Sequence, residues 1–154
     1  LAVAGLYKVL LLDRIRGKVQ IVRIGDVSFE VDIADNPVSQ ARGLSGRESM
    51  EKNKGMLFLF DTIEPHTMWM KDMAFSIDIL WIKNGTIVDM EESVRPEQGV
   101  SDAVLKRYSS DVPAELVLEL PAGFAKTHSI LISDEVILRS GELSQKYRAF
   151  LQKK

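Results

Sequence analysis

The chain has 154 residues, 45% of them hydrophobic and 27% charged, the make-up of one globular domain rather than of a disordered segment. Its 20 Lys and Arg against 22 Asp and Glu leave a net charge of −2, so no broad basic field exists to hold a nucleic-acid backbone. Cysteine is absent, which excludes disulfides, thiolate nucleophiles, Cys-ligated zinc and iron–sulfur clusters and leaves the redox compartment open.

Residues 1–17 open with an apolar run, Leu1 to Leu12, that only Lys8 interrupts. Twelve residues are too few to span a bilayer as a helix, which needs about 20. The run reads either as the stump of a signal or membrane anchor or as a short docked helix. Residues 18–140 read as a single β domain. Val19, Ile21 and Ile24 precede Gly25-Asp26, and then Val27, Phe29, Val31 and Ile33 alternate with polar residues; the pair predicts a hairpin. Asn36-Pro37 starts a brief helix that Gly43 and Gly46 stop. The continuous apolar run Met56–Phe60 predicts a strand buried on both faces.

Thr67–Lys71 and Ile77–Ile82 read as two further strands joined by a six-residue hairpin loop. Asn84-Gly85 signals a tight hairpin into Thr86–Met90. The polar stretch Glu91–Pro113 reads as a long surface loop. Glu115–Leu120 alternates as a strand, Phe124–His128 makes one helical turn, and Ile130–Ile132 and Glu135–Arg139 read as the last strands. In residues 141–154, Leu143, Tyr147, Phe150 and Leu151 fall on one face of an amphipathic helix. The fold class is therefore mainly β: a compact antiparallel β-barrel or sandwich with a short helix after the second strand and a C-terminal amphipathic helix.

Enzyme signatures are missing: there is no Gly-rich phosphate loop, no Gly-x-Ser-x-Gly elbow and no His-Glu-x-x-His. No metal or cofactor is expected. The densest unusual patch is His66-Thr67-Met68-Trp69-Met70-Lys71-Asp72-Met73. His66 with the three methionines would suit copper(I), although methionine more often fills core gaps. A second patch, Ile77-Asp78-Ile79-Leu80-Trp81-Ile82, sets one carboxylate in a run that otherwise asks for burial. Such an acid needs a cation or several backbone donors. Lys71, opposite it across the predicted hairpin, is the first choice of partner, and Arg42 at the end of the short helix is the second. Glu119 alternates away from Leu116, Leu118 and Leu120 and reads as part of a solvated strand face.

The blocks Gln40–Arg47, Gly55–Phe60, His66–Met73, Ile77–Ile82 and Leu118–Gly123, in that order, resemble the domain of unknown function 192 family of bacterial and archaeal proteins. The resemblance runs from about Val27 to Leu138. It implies a compact antiparallel β-barrel or sandwich with a small helix after the second strand. It also implies relatives that carry an N-terminal signal, lipid or membrane anchor, and hence an extracytoplasmic or membrane-anchored location. It brings no established reaction. The positions it marks are Arg42-Gly43-Leu44, Trp69-Met70-Lys71, Asp78 and Glu119–Gly123; Ser133-Asp134 departs from its usual Gly-Asp.

Three functions compete. The first is a non-catalytic module binding a small polar or envelope-derived ligand through Arg42, Trp69, Lys71, Asp78, His66 and Glu119. The second is an interaction or scaffold domain in which Arg42, Lys71 and Asp78 are internal bracing. The third is a hydrolase using Asp78 or Glu119, which as a pair would have to flank one bond.

Overall fold

The computed structural model describes residues 20–140. The apolar opening segment and the amphipathic C-terminal helix expected from the sequence lie outside those residues. Among the described residues, no helix is long and apolar enough to cross a membrane.

The chain is mainly β. Strands β1 (Gln20–Ile24) and β2 (Val27–Ala34) form the expected hairpin, with Ile24 facing Val27 across the turn. A six-residue helix, α1 (Pro37–Arg42), follows; the Asn36 side chain accepts from the Val38 and Ser39 N–H groups, and Ser39 returns a bond to the Asn36 backbone. This capping box satisfies donors that so short a helix would otherwise leave bare. Then come β3 (Lys54–Glu64), β4 (Thr67–Trp69), β5 (Ile77–Lys83), β6 (Thr86–Val94), β7 (Arg107–Ser109) and β8 (Ala114–Pro121). A single helical turn, α2 (Phe124–Thr127), and β9 (Val136–Ser140) complete the described chain.

Seven strands make one sheet in the order β6-β5-β8-β3-β2-β1-β9, and β4 and β7 make a separate two-stranded ribbon. Asn84 and Gly85 both take positive φ, 51° and 75°, so the β5–β6 turn is of the mirror-image type that matches strand twist. The sheet curls into a half-barrel whose two edges meet at one end. There Thr86 bridges Glu135, Ile87 N–H donates to Asp134 O, and Val136 N–H donates to Gly85 O.

Four expectations are corrected. The sheet is not wholly antiparallel, because β2 and β3 run parallel and the α1 segment forms the crossover that a parallel pair requires. The segments Thr67–Lys71 and Ile77–Ile82 do not form a hairpin: β4 pairs with β7, while β5 lies between β6 and β8. The loop expected over Glu91–Pro113 contains the end of β6 and all of β7. Ile130–Ile132 is a turn with Leu131 and Ile132 exposed, since Asp134 takes the Leu131 N–H and no ladder is available there.

Both faces of the central strands are covered. One face carries Leu57, Leu59, Leu80, Ile82, Leu116, Leu118 and Leu120, closed by Phe124 and Ala125 of α2. The other carries Met56, Phe58, Ile77, Ile79, Trp81 and Val117, covered by Leu44, Met68, Met70, Met73 and Tyr108. The ribbon is tied to this second face where the Trp81 indole N–H donates to the His66 carbonyl at 2.8 Å. Two covered faces explain why β5 reads as an unbroken apolar run apart from Asp78, and why β8, read as alternating, is buried on both sides.

At Gly55, β3 and β8 approach so closely that a Cβ would lie 2.7 Å from the Glu119 carbonyl oxygen and 2.9 Å from Leu120 Cδ2. Backbone cannot yield there without separating the two central strands. Gly55→Ala is expected to lower stability by about 1–3 kcal/mol, read as a lower denaturant midpoint with the slope unchanged.

Candidate functional site

Asp78 is fully buried, and among the described residues no cation holds it. Its Oδ1 accepts the N–H groups of Ser93 at 2.8 Å and Gly123 at 3.0 Å, and its Oδ2 accepts that of Ala125 at 2.9 Å. The acid caps α2 from a neighbouring strand and locks the end of β6 to the β8–α2 turn. The expected Lys71 partnership is overturned because β4 and β5 are not neighbours; Lys71 instead pairs with Asp102. Arg42 is not its partner either and stands exposed at the end of α1. Charge-bearing oxygens satisfied by three N–H groups need no counter-ion.

Glu119 has the opposite fate. In the β5–β8 ladder Asp78 lies across from Leu120, and Ile79 from Glu119. Directly paired residues share a face, so the two acids point to opposite sides of the sheet. A hydrolase that places both on one bond is thereby excluded. Glu119 is also not on a solvated face: only 4% of it is exposed, because the ribbon and the segment after α1 cover that side. Among the described residues it makes no hydrogen bond and no ion pair. Burial pushes its carboxyl up to about 8, partly opposed by the Arg47 charge nearby. At neutral pH it is therefore a protonated acid with a proton to donate.

Glu119 opens into a cleft of about 310 Å³ between α1 and β4. Leu44, Phe58, Phe60, Met68 and Met73 give it apolar walls, with Trp69 at one side and Arg42 at the other. The cleft is held open from several directions. Gln40 Nε2 donates to the Leu59 carbonyl at 2.7 Å, which fixes α1 on β3. Ser45 Oγ donates to Lys71 O at 2.7 Å, and Gly46 N–H donates to Asp72 O at 2.9 Å, which fix the segment after α1 on the turn after β4. Trp69 faces Arg107 across the ribbon, with that guanidinium 3.9 Å from the ring centre and the Lys71 ammonium at 5.4 Å. Cations at such distances are attracted to the indole face.

Of the residues expected to form a site, the cleft brings together Arg42, Trp69 and Glu119. Lys71 stays at its margin, bound to Asp102. Asp78 is on the far face of the sheet. His66 is buried and stacked on Phe60 with ring centres 3.6 Å apart, and its Nε2 donates to the Thr62 carbonyl at 3.1 Å. It thus braces the wall behind Phe60. Of the residues considered for copper(I), Met68 and Met73 line the cleft, and Met70 and His66 are buried outside its lining. No group of three or more His, Cys, Asp or Glu suited to a metal occurs among the described residues. Phe58 and Phe60 as cleft walls escaped the sequence reading. Their only signal was the both-faces-buried run Met56–Phe60, which requires a second covering layer and hence a seam beside it.

Two expected outcomes separate the acids. Asp78→Asn turns an amide NH₂ toward a buried N–H and should cost about 3 kcal/mol in chemical denaturation. Glu119→Gln should stabilise the fold instead, increasingly as pH rises. Wild-type Glu119 has a folded pKa of about 8 against the ordinary 4.5 of the unfolded chain, so across that window the unfolded chain has lost a proton that the folded one keeps, and wild-type stability falls. The gain from Gln should grow by roughly 1.4 kcal/mol per pH unit between about pH 5 and about pH 8 and be absent at pH 4; equal gains at pH 4 and 8 would refute the assignment.

No curated protein matches the chain. Among solved structures it resembles a Sinorhizobium meliloti 1021 protein described provisionally as a transcription regulator, at 30% identity over 77% of this chain and 92% of that one, TM-score 0.70. It also shares its fold with a Novosphingobium aromaticivorans DSM 12444 protein of unknown function, at 22% identity over 80% of this chain and 88% of that one, TM-score 0.71. The family model DUF192, described as Uncharacterized ACR, matches residues 20–138, which takes in β1 to β8, the start of β9, Asp78, Glu119 and the whole cleft. The chain belongs to the DUF192 family.

Proposed function

We propose that the domain is a non-catalytic binding module that takes a small ligand with polar ends in the cleft between α1 and β4. The observation that carries this reading is Glu119: a buried carboxyl with no partner among the described residues, at the wall of an open cavity. Asp78, on the other face, is satisfied by backbone donors alone. Glu119 instead turns its carboxyl to the cleft, where a ligand can exchange a hydrogen bond with it. The cavity volume lies at the small end of the range for ligand sites, about 300–1,000 Å³, and its mix of apolar walls and few polar groups is what such sites use.

The reading keeps Arg42, Trp69 and Glu119 as ligand contacts and gives Asp78 and His66 structural duties. It gives Lys71 and Arg107, both against the Trp69 ring, the part of orienting it. An envelope-derived ligand fits a protein outside the cytoplasm, the location that the family resemblance implies.

The test is a screen of small polar molecules, including cell-envelope saccharides, by amide and indole NMR shifts of the full chain. Ala41 is exposed and lines the cleft, so Ala41→Trp blocks it without touching the core. At least one molecule should shift the Trp69 indole and lose more than tenfold in affinity in Ala41→Trp. Ligands indifferent to that substitution, or a screen with no binder at all, would overturn the reading.

A further inference from the structure

We infer that the cleft ligand is a small organic anion: a carboxylate held by Arg42, an apolar ring or face laid against Trp69 and Phe60, and a far-end carbonyl or hydroxyl accepting the Glu119 proton. The inference rests on the cleft being a binding site and names the chemistry it selects.

Charge at the mouth decides between anion and cation. Arg42 is exposed, lines the cleft and has no acidic partner among the described residues. Lys71 and Arg107 flank Trp69, and Asp102, the acid beside them, is taken by Lys71. Asp72 acts on Lys71 from the adjoining turn. An entering carboxylate meets a guanidinium able to grip it with two parallel hydrogen bonds. An entering ammonium meets repulsion.

The wall of the cleft gives the same answer. To bind an ammonium, Glu119 would have to ionise in a place where no protein donor stabilises the anion, and burying an ion pair with so little support is unfavourable. Arg47 is the charged group whose field reaches Glu119, and its guanidinium is held by Asp32 at 2.9 Å. The positions across from Glu119 on the two neighbouring strands are Met56 and Ile79, both uncharged. A neutral acid in such surroundings donates one hydrogen bond and repels nothing. It suits the uncharged end of an anion whose charge stays at Arg42.

The Phe, Met and Leu walls ask for an apolar body between the two polar ends. A flat ring would use the Trp69 and Phe60 faces through offset stacking.

Three probes of one shape test this on the full chain by NMR titration: 4-hydroxyphenylacetate, the amine tyramine, and the neutral alcohol tyrosol. The acid should bind most tightly. Its affinity should fall about tenfold between pH 7 and pH 9, as Glu119 loses its proton and sets a negative charge in the ligand's path. Arg42→Met should weaken the acid at least tenfold and leave tyrosol within twofold. In Glu119→Gln, neutral throughout, the pH slope should vanish. Tyramine binding more tightly than the acid, affinity for the acid rising with pH, or no binding of the acid would each overturn the inference. If tyramine or tyrosol binds and Ala41→Trp blocks it, the cleft stands as a site and only the anion assignment falls. If none of the three binds, the anion assignment falls and the saccharide screen alone decides the cleft.

Discussion

A strand covered on both faces has no water to offer a carboxylate, and that constraint governs the centre of this domain. β5 and β8 lie side by side, and their ladder turns Asp78 and Glu119 to opposite faces; Glu115, the other acid of β8, accepts the Asn84 N–H at 2.7 Å. On one face Asp78 is enclosed by three N–H groups from β6 and the turn into α2. On the other Glu119 meets only apolar neighbours, the field of Arg47 and an open cleft. The same residue chemistry in the same sheet therefore yields a structural clamp on one side and a proton-bearing carboxyl beside a cleft on the other. What separates them is the supply of donors, not depth.

The clamp and the cleft are mechanically related. Asp78 fixes the turn that follows β8, and β8 presents Glu119 one residue before the partner of Asp78. Gly55 lets β3 close on the same stretch of β8, which brings Phe58 and Phe60 of β3 to the wall of the cleft. The ribbon of β4 and β7 then supplies Trp69, with the Arg107 guanidinium against its ring, and is tied to the main sheet through Trp81 and His66. Rigid elements thus hold each side of the cleft, as preorganised recognition requires. Arg42 ends α1, a short helix with no buried residue that the Gln40–Leu59 bond fixes to β3.

Such an arrangement reconciles two of the competing functions read from the sequence. The internal bracing exists, in Asp78 and in the stack of His66 on Phe60, but it supports a cleft rather than replacing one. The hydrolase built on two acids fails on geometry alone. The shared fold with proteins at 22% and 30% identity shows how widely this curled sheet is used; it says nothing of what occupies the cleft.

Local chemistry was legible in the amino-acid order: the β1–β2 hairpin, the Asn84-Gly85 turn, the doubly buried run Met56–Phe60, and the oddity of an acid at Asp78. These follow from period, turn residues and burial cost, which act over a few neighbours. The partnership of Lys71 with Asp78 failed because it assumed that consecutive strands pair, and the chain instead sends β4 to β7 and inserts β5 beside β8. Glu119 read as solvated because alternation reports which residues share a face, and nothing along the strand says whether a second layer covers it. That the sequence sets Asp78 and Glu119 among apolar strand residues was determined from the start. Which of them finds backbone donors and which opens on a cleft was decided only by tertiary structure, because the covering groups come from α1, β4 and α2, far away in the chain.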